Sequence, residues 1–503
     1  MSESKVSARL TEGLAEEVKN LIIQPRLQGF AKVFIALSDV NKAHLVMLAE
    51  RGLINRHHAH QIASAVMEIE IEGASAIELD AAREDAYFNY EAHLMAKIGD
   101  DVGGRLHTGR SRNDVLATLD RMKCRQALLE LIDALHALRD TALRQSVKHI
   151  HSIIPGYTHL QPAQPISYGF YLAGVAQALE RDTARLNENL NGMNSCPLGA
   201  AAFAGTIYEI DRQRTAELLG FDDYVENALD AVASRDFMVA TLADLSMLAI
   251  FWSRVAQDYF VWSTAEFGII EFPDSVATTS SIMPQKKNPI VLEYLKGRAG
   301  NIIGGLLSAT IAIKGTNFSH AGDANRESSA SFSDAVDEAI RCIKLLELVL
   351  RTASPIEKVA MRLASRDFST VTALADLIVV ERNWPFRSAH HVVGAAVKDA
   401  LEKGLGADAI SAHMLDIAAQ EQMGATLGFS EKQVEQCLDP VANVHARRSA
   451  GGPSPDDVEV RVAAAIERLD VEKSRHKIKK ECLIERRHEL NAEVKKLAAV
   501  GPS

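Results

Sequence analysis

Cysteine is scarce and unpatterned. Cys124, Cys196, Cys342, Cys437 and Cys482 are 5 in 503 residues, with no C-x-x-C pair and no metal-ligand spacing. That excludes a disulfide-built fold and a structural zinc site, and fits reduced thiols in a cytoplasmic protein. Aromatic residues make up only 6% of the chain and prolines number 14, whereas Ala, Leu, Glu, Lys and Arg are abundant, so helix is favoured over sheet. No uninterrupted apolar run reaches the ~18 residues that a membrane span needs. Met1 to Asn20 is polar and carries acids, unlike a signal peptide. Positive charge is not in excess; the net charge of −11 gives no reason to expect nucleic acid or a membrane as partner. There is no phosphate-binding loop, no G-x-S-x-G elbow and no metal cluster.

What is present is ordinary globular material, 47% hydrophobic and 24% charged, enough for a large core and about three domains. Apolar residues recur at three- and four-residue steps over Leu45 to Ile71 (broken near Gly52), Glu84 to Ile98, Leu116 to Ile150 and Ile166 to Leu190. The pattern resumes over Arg235 to Phe267, Ile290 to Ile313 and Ser329 to Arg351. Several of these helices exceed the globular average, and no heptad persists, so a helical bundle is expected. Beyond Pro355 shorter helices with turns at Asn383 to Pro385, Gly404 to Gly406 and Gly451 to Pro453 read as a separate small domain. The tail, Glu472 to Val500, is helical and charged: a solvated helix, or an oligomer contact.

Three polar stretches interrupt the helices. In the first, Arg110, Ser111, Arg112 and Asn113 lie between a glycine pair and a helix start. Such donors suit a carboxylate or phosphate, though Asp114 could equally cap the helix and leave the arginines exposed. In the second, prolines bracket Tyr157-Thr158-His159-Leu160-Gln161; the histidine is either structural or a held acid–base group. The third, Thr278 to Pro289, crowds Ser280, Ser281, Lys286, Lys287 and Asn288 into a loop that reads as a linker or as an active-site lid. Lys286 and Asn288 suit an oxyanion, and a serine beside a lysine in a closing loop can act as a base when its alkoxide is stabilised.

Together these stretches resemble the aspartase/fumarase superfamily, and within it argininosuccinate lyase. GRLHTGRSRNDVLAT (Gly104 to Thr118), PGYTHLQPAQP (Pro155 to Pro165) and SSIMPQKKNP (Ser280 to Pro289) carry the match, and the last is the superfamily signature. Weaker matches lie at Glu84 to Glu91, Pro197 to Arg212, Asn227 to Phe237, Met361 to Val397 and Leu438 to Pro453. The resemblance implies an all-α, three-domain subunit: an amino-terminal helical domain (1–110), a central long-helix domain (111–365), and a small carboxy-terminal domain with the charged tail (366–503). It further implies a homotetramer around a twenty-helix bundle, with each active site built by three subunits and no metal or organic cofactor.

The implied reaction is reversible anti elimination of fumarate from an N-substituted aspartate. Ser280 matches the general base, with Ser281 its neighbour. Removing the weakly acidic β-proton leaves an aci-carboxylate, which fixed donors must stabilise; Lys286 and Asn288 match those positions. Met283 lies in the same signature and joins the substrate-binding set. Ser111, Arg112, Asn113 and Thr158 match carboxylate-binding positions. His159 matches a histidine held by a glutamate, here Glu293.

The chain departs from the argininosuccinate lyase pattern in places. Val115 replaces the usual Gln, Pro162 the usual Arg, and Thr279 the signature's leading Gly. Lys314 to Ser329 reads KGTNFSHAGDANRESS where the family reads like KGLPLAYNKDLQEDKE, so His320 stands for Tyr, Gly322 for Lys, Asn325 for Gln and Ser328 for Lys. The fumarate-handling half is intact and the amine-handling half is altered. The expected substrate is therefore another N-substituted aspartate, ethylenediamine-N,N'-disuccinate (EDDS), whose second succinyl arm would meet His320, Asn325 and Arg326. Argininosuccinate is the alternative substrate, and a non-catalytic structural homologue the alternative class.

Overall fold

The computed structural model describes residues 12–499. Residues 1–11, which carry part of the amino-terminal stretch judged above, and 500–503, the end of the tail, lie outside them. Among the described residues the chain is mostly helical, with four ladders of two short strands each.

Five long helices set the architecture: Arg112–Lys148, Tyr168–Gly192, Asp236–Trp262, Ile290–Ile313 and Phe332–Thr352. Their apolar rows meet in one buried cluster that includes Leu128, Leu135, Leu172, Leu179, Leu245, Trp252, Leu295, Phe332 and Leu346. Each such side chain contributes roughly 1.5–3 kcal/mol by leaving water. Polar atoms inside the cluster find partners: Trp252 Nε1 donates to the Leu295 carbonyl at 3.0 Å, and the Tyr168 and Tyr259 hydroxyls meet at 2.6 Å. The Asp236–Trp262 helix is long and apolar enough to cross a membrane by length and composition alone. Here Leu242, Leu245, Leu248, Trp252 and Tyr259 on it are buried within the bundle.

A second cluster lies in the amino-terminal part, where Leu37 to Leu48 of the Phe30–Glu50 helix are buried without a break. A third gathers residues from Leu374 to Leu438. Pro455–Ala499 forms one continuous helix of 45 residues, longer than the Glu472 start read from the sequence. It lies along its own chain: Val458, Val462 and Leu469 join the central cluster, and Leu490 and Val494 join the amino-terminal one. Its charges are also used. Buried Lys42 pairs with Glu70 and donates to Asn491 Oδ1 at 2.8 Å, while Arg487 contacts Asp39 and Glu70, both at 2.9 Å.

Two of the three polar interruptions prove to be hairpins. Ile153–Thr158 pairs antiparallel with Gln161–Ser167, and Thr278–Thr279 with Lys287–Asn288. All five cysteines are free, three of them buried.

Candidate functional site

The signature stretch is the tip of the second hairpin. Pairing of Thr279 with Lys287 closes it, and residues 280–286 form its turn. Ser280 Oγ lies inside that turn and accepts the Met283 N–H at 3.0 Å and the Ile282 N–H at 3.4 Å. Two backbone donors on a hydroxyl oxygen favour its deprotonated form. Ser281, Met283 and Lys286 are exposed and Asn288 is half-buried. Among the described residues the Lys286 ammonium has no hydrogen bond or ion pair. Its neighbour Lys287 is tied down, at 2.6 Å from Asp274 and 3.1 Å from the Phe272 carbonyl. The Ile290–Ile313 helix begins directly after Pro289, which puts Glu293 in its exposed first turn.

Thr158 and Gln161 pair at the tip of the first hairpin, so His159 and Leu160 are its two turn residues. Both have positive φ, 55° and 56°. That is the backbone of a two-residue type I′ turn, which favours Asn or Gly and is strained for leucine. Thr158, His159 and Leu160 are exposed. His159 and Glu293 make no contact with each other within the described chain, and neither side chain has another partner there.

The first polar stretch is a helix start. Ser111 is the N-cap of Arg112–Lys148 and forms a capping box with Asp114. Asp114 does more than cap: besides the Ser111 N–H (2.9 Å), it accepts the Gly199 and Ala201 N–H groups at 2.9 and 2.8 Å and so ties down the glycine- and alanine-rich loop. Burial pushes its carboxyl up to about 6, with the three backbone donors opposing. Asn113 donates from Nδ2 to the Ala202 carbonyl at 3.0 Å. Arg112 is not simply exposed. Its Nη1 lies 2.5 Å from Glu84 and 3.2 Å from Asp85, and its guanidinium lies 5.0 Å from the centre of the Phe88 ring.

Close to Arg112 lies the altered segment. Asp323–Glu327 makes a single π-helical turn, a form found often at functional sites. Asn325 donates from Nδ2 to His320 Nδ1 at 2.6 Å, and its own Oδ1 is buried without a partner. His320 is pushed down to about 4, by burial first and then by Arg235, Arg326 and Arg112. It is therefore neutral at neutral pH, with its proton on Nε2. Arg326 is half-buried and has no hydrogen bond or ion pair among the described residues; burial, Arg26 and Arg112 lower its pKa, and Asp85 and Glu84 oppose them. Arg26 reaches Glu327 at 3.2 Å, and buried Arg235 reaches Asp120 at 2.8 Å.

Within one chain, then, the structure gathers Ser111, Arg112 and Asn113 with His320, Asn325 and Arg326. It leaves the Ser280 hairpin and the His159 turn elsewhere, with no hydrogen bond, ion pair or ring contact joining the three groups among the described residues. Arg26 and Arg235 were missed as neighbours of this cluster. Their only signal was faint: Arg235 and the Glu84–Asp85 pair fall in weaker family matches, and Arg26 in none.

A family model described as lyase matches residues 17–304, and a second, of the argininosuccinate lyase C-terminal region, matches 368–445. Argininosuccinate lyase 1 of Shouchella clausii is 39% identical over 464 residues, 92% of each chain. The chain belongs to the argininosuccinate lyase branch of the aspartase/fumarase superfamily. Argininosuccinate lyase of Methanothermobacter thermautotrophicus is 38% identical over 91% of this chain and 97% of that one. Among solved structures, EDDS lyase in complex with formate and an EDDS lyase variant with bound fumarate each match with a TM-score of 0.86, 30% identity and 97% coverage of both chains.

The chain is thus a carbon–nitrogen lyase of this superfamily. In chemical terms the lyase carries two sets of groups. One hairpin offers a serine oxygen under two N–H donors, with an exposed ammonium on the same turn. The Arg112 cluster offers guanidinium groups, a neutral imidazole and a buried amide.

Proposed function

We propose that this lyase reversibly eliminates fumarate from an N-substituted aspartate whose amine half carries a carboxylate, with EDDS as the substrate. The observation that carries the elimination is the pair of N–H donors on Ser280 Oγ, which lower the cost of an alkoxide at the base position. Ser280 takes the β-proton. Lys286 and Asn288 hold the aci-carboxylate that results, Ser281 and Met283 line the same turn, and the nitrogen leaves with the electron pair of the breaking C–N bond. Ser111, Arg112, Asn113 and Thr158 bind the carboxylates of the succinyl half. His159, paired with Glu293 of another subunit, orients or protonates.

The amine half is the part that distinguishes this chain. Arg326 is a half-buried cation with no hydrogen bond or ion pair among the described residues, beside a neutral imidazole donor and an unfilled amide oxygen. A carboxylate fits it better than a further cation does. The second reading, argininosuccinate, is favoured by the 39% identity to an argininosuccinate lyase; its amine half also bears a carboxylate.

Four copies assembled through the long helices would bring the separate stretches together. Five such helices per chain suit a bundle of twenty. Ile303, Leu307 and Ile311 form an apolar row, 39%, 60% and 63% exposed, along the Ile290–Ile313 helix, as an unfilled helix interface would. The reading is tested by following fumarate through its ultraviolet absorbance with EDDS and with argininosuccinate in turn. Turnover of EDDS supports it; turnover of argininosuccinate alone transfers the assignment to the second reading. A stable, active monomer would refute the shared site.

A further inference from the structure

Glu84 has a backbone that few side-chain-bearing residues adopt, with φ 68° and ψ −46°. The Asp85 N–H donates to the Arg83 carbonyl at 2.8 Å across it. This is a three-residue γ-turn of the positive-φ kind, rare and strained for anything but glycine. Strain of this sort persists only where surrounding contacts over-determine it, and it gathers at functional sites.

The turn has a specific result. It presents two consecutive carboxylates to one corner of one guanidinium: Glu84 at 2.5 Å and Asp85 at 3.2 Å from Arg112 Nη1. Asp85 is itself anchored, because its Oδ1 accepts the Phe88 N–H at 3.1 Å as the N-cap of Ala86–Ile98. The Phe88 ring then lies against the guanidinium at 5.0 Å. Both carboxylate contacts fall on Nη1, so the edge formed by Nη2 and Nε remains open for the two oxygens of a bound carboxylate. A long side chain that would otherwise sample many rotamers is held in one pose before substrate arrives.

We infer that Glu84, with Asp85, is a positioning residue that fixes Arg112 for the succinyl carboxylate, and that the strained turn exists to put it there. The inference rests on reading Arg112 as a carboxylate ligand. Glu84 touches no reacting atom; it acts through Arg112.

The test uses the full chain in the addition direction, with fumarate and a saturating amine. Glu84→Gln keeps the shape and removes the charge. It should raise KM for fumarate by about tenfold, the effect of loosening one charge-assisted contact, and change kcat far less. In an Arg112→Gln background the same substitution should add nothing. Glu84→Gly removes both carboxylate and strain, so it should raise KM similarly while Tm is held or rises. An unchanged KM in Glu84→Gln, losses that multiply in the double variant, or a drop in Tm for Glu84→Gly would each overturn the inference. If Arg112→Gln alone left KM for fumarate at its wild-type value, the carboxylate reading of Arg112 would fall instead.

Discussion

The Ser280 hairpin and the Arg112 cluster are built on opposite principles. Ser281, Met283 and Lys286 are exposed on a short turn, and Lys286 has no partner among the described residues. Arg112, His320 and Asn325 are packed within the chain and tied to one another or to nearby acids. The hairpin carries groups that the described chain leaves exposed, as the proposed shared site requires. The cluster is largely assembled before any ligand arrives, and among the described residues Arg326 makes no hydrogen bond or ion pair. In the proposed reaction the hairpin supplies the base and the oxyanion donors, whereas the cluster holds carboxylates with groups fixed by their own chain, as precise positioning requires.

Substitutions in either set of groups separate their contributions. The largest effect is expected from Ser280→Ala, which should lower kcat by about a thousandfold with the fold retained, because a general base supplies about that much; circular dichroism and single-turnover fumarate release check it. Lys286→Met should follow, with kcat about a hundredfold lower and KM less affected, as the proposed role of its ammonium in holding the aci-carboxylate requires; steady-state kinetics in both directions separate the two constants. Arg326→Gln should lower kcat/KM for EDDS by about tenfold to a hundredfold, the scale of one charge-assisted contact, and should raise KM for fumarate much less. An equal loss for fumarate would place Arg326 at the succinyl end.

The smallest effect is one of pH. The folded value of His320, about 4, lies below the ordinary 6.5, so on acidification the unfolded chain takes up the proton first. The stability that the neutral ring contributes is complete above about 6.5 and is lost as pH falls toward about 4. His320→Gln should therefore show a shallower loss of Tm over that window than the parent chain. Equal slopes would mean that the imidazole is not held neutral by its surroundings.

Much of this was legible in the sequence, and the misses share physical causes. The Ile290–Ile313 helix matches its expected range because Pro289 and Gly315 punctuate it. The Arg112–Lys148 helix begins four residues before the expected Leu116, because the Ser111–Asp114 box could be read as a cap or as a binding site, and it is the N-cap of a helix that also presents Arg112. The hairpins were hidden. His-Leu is not a sequence that announces a type I′ turn, and Pro155, Pro162 and Pro165 discourage a strand reading although Ile153–Thr158 and Gln161–Ser167 pair across them. His320, Asn325 and Arg326 were legible as a group, but Arg26 beside them was not, because Arg26 and Glu327 meet across 301 positions. Local pattern carries no information about such a pairing.

The long carboxy-terminal helix has a consequence for the order in which the molecule is made. Buried Lys42 donates to Asn491, 449 positions later, and Asp39 and Glu70 wait for Arg487. Leu490 and Val494 complete the amino-terminal hydrophobic cluster. The amino-terminal cluster thus has an ionic core whose remaining partners lie as many as 449 positions further along the chain, so those contacts form only after the long helix has been synthesised. This part of the fold is a clasp fastened by contacts of high sequence separation.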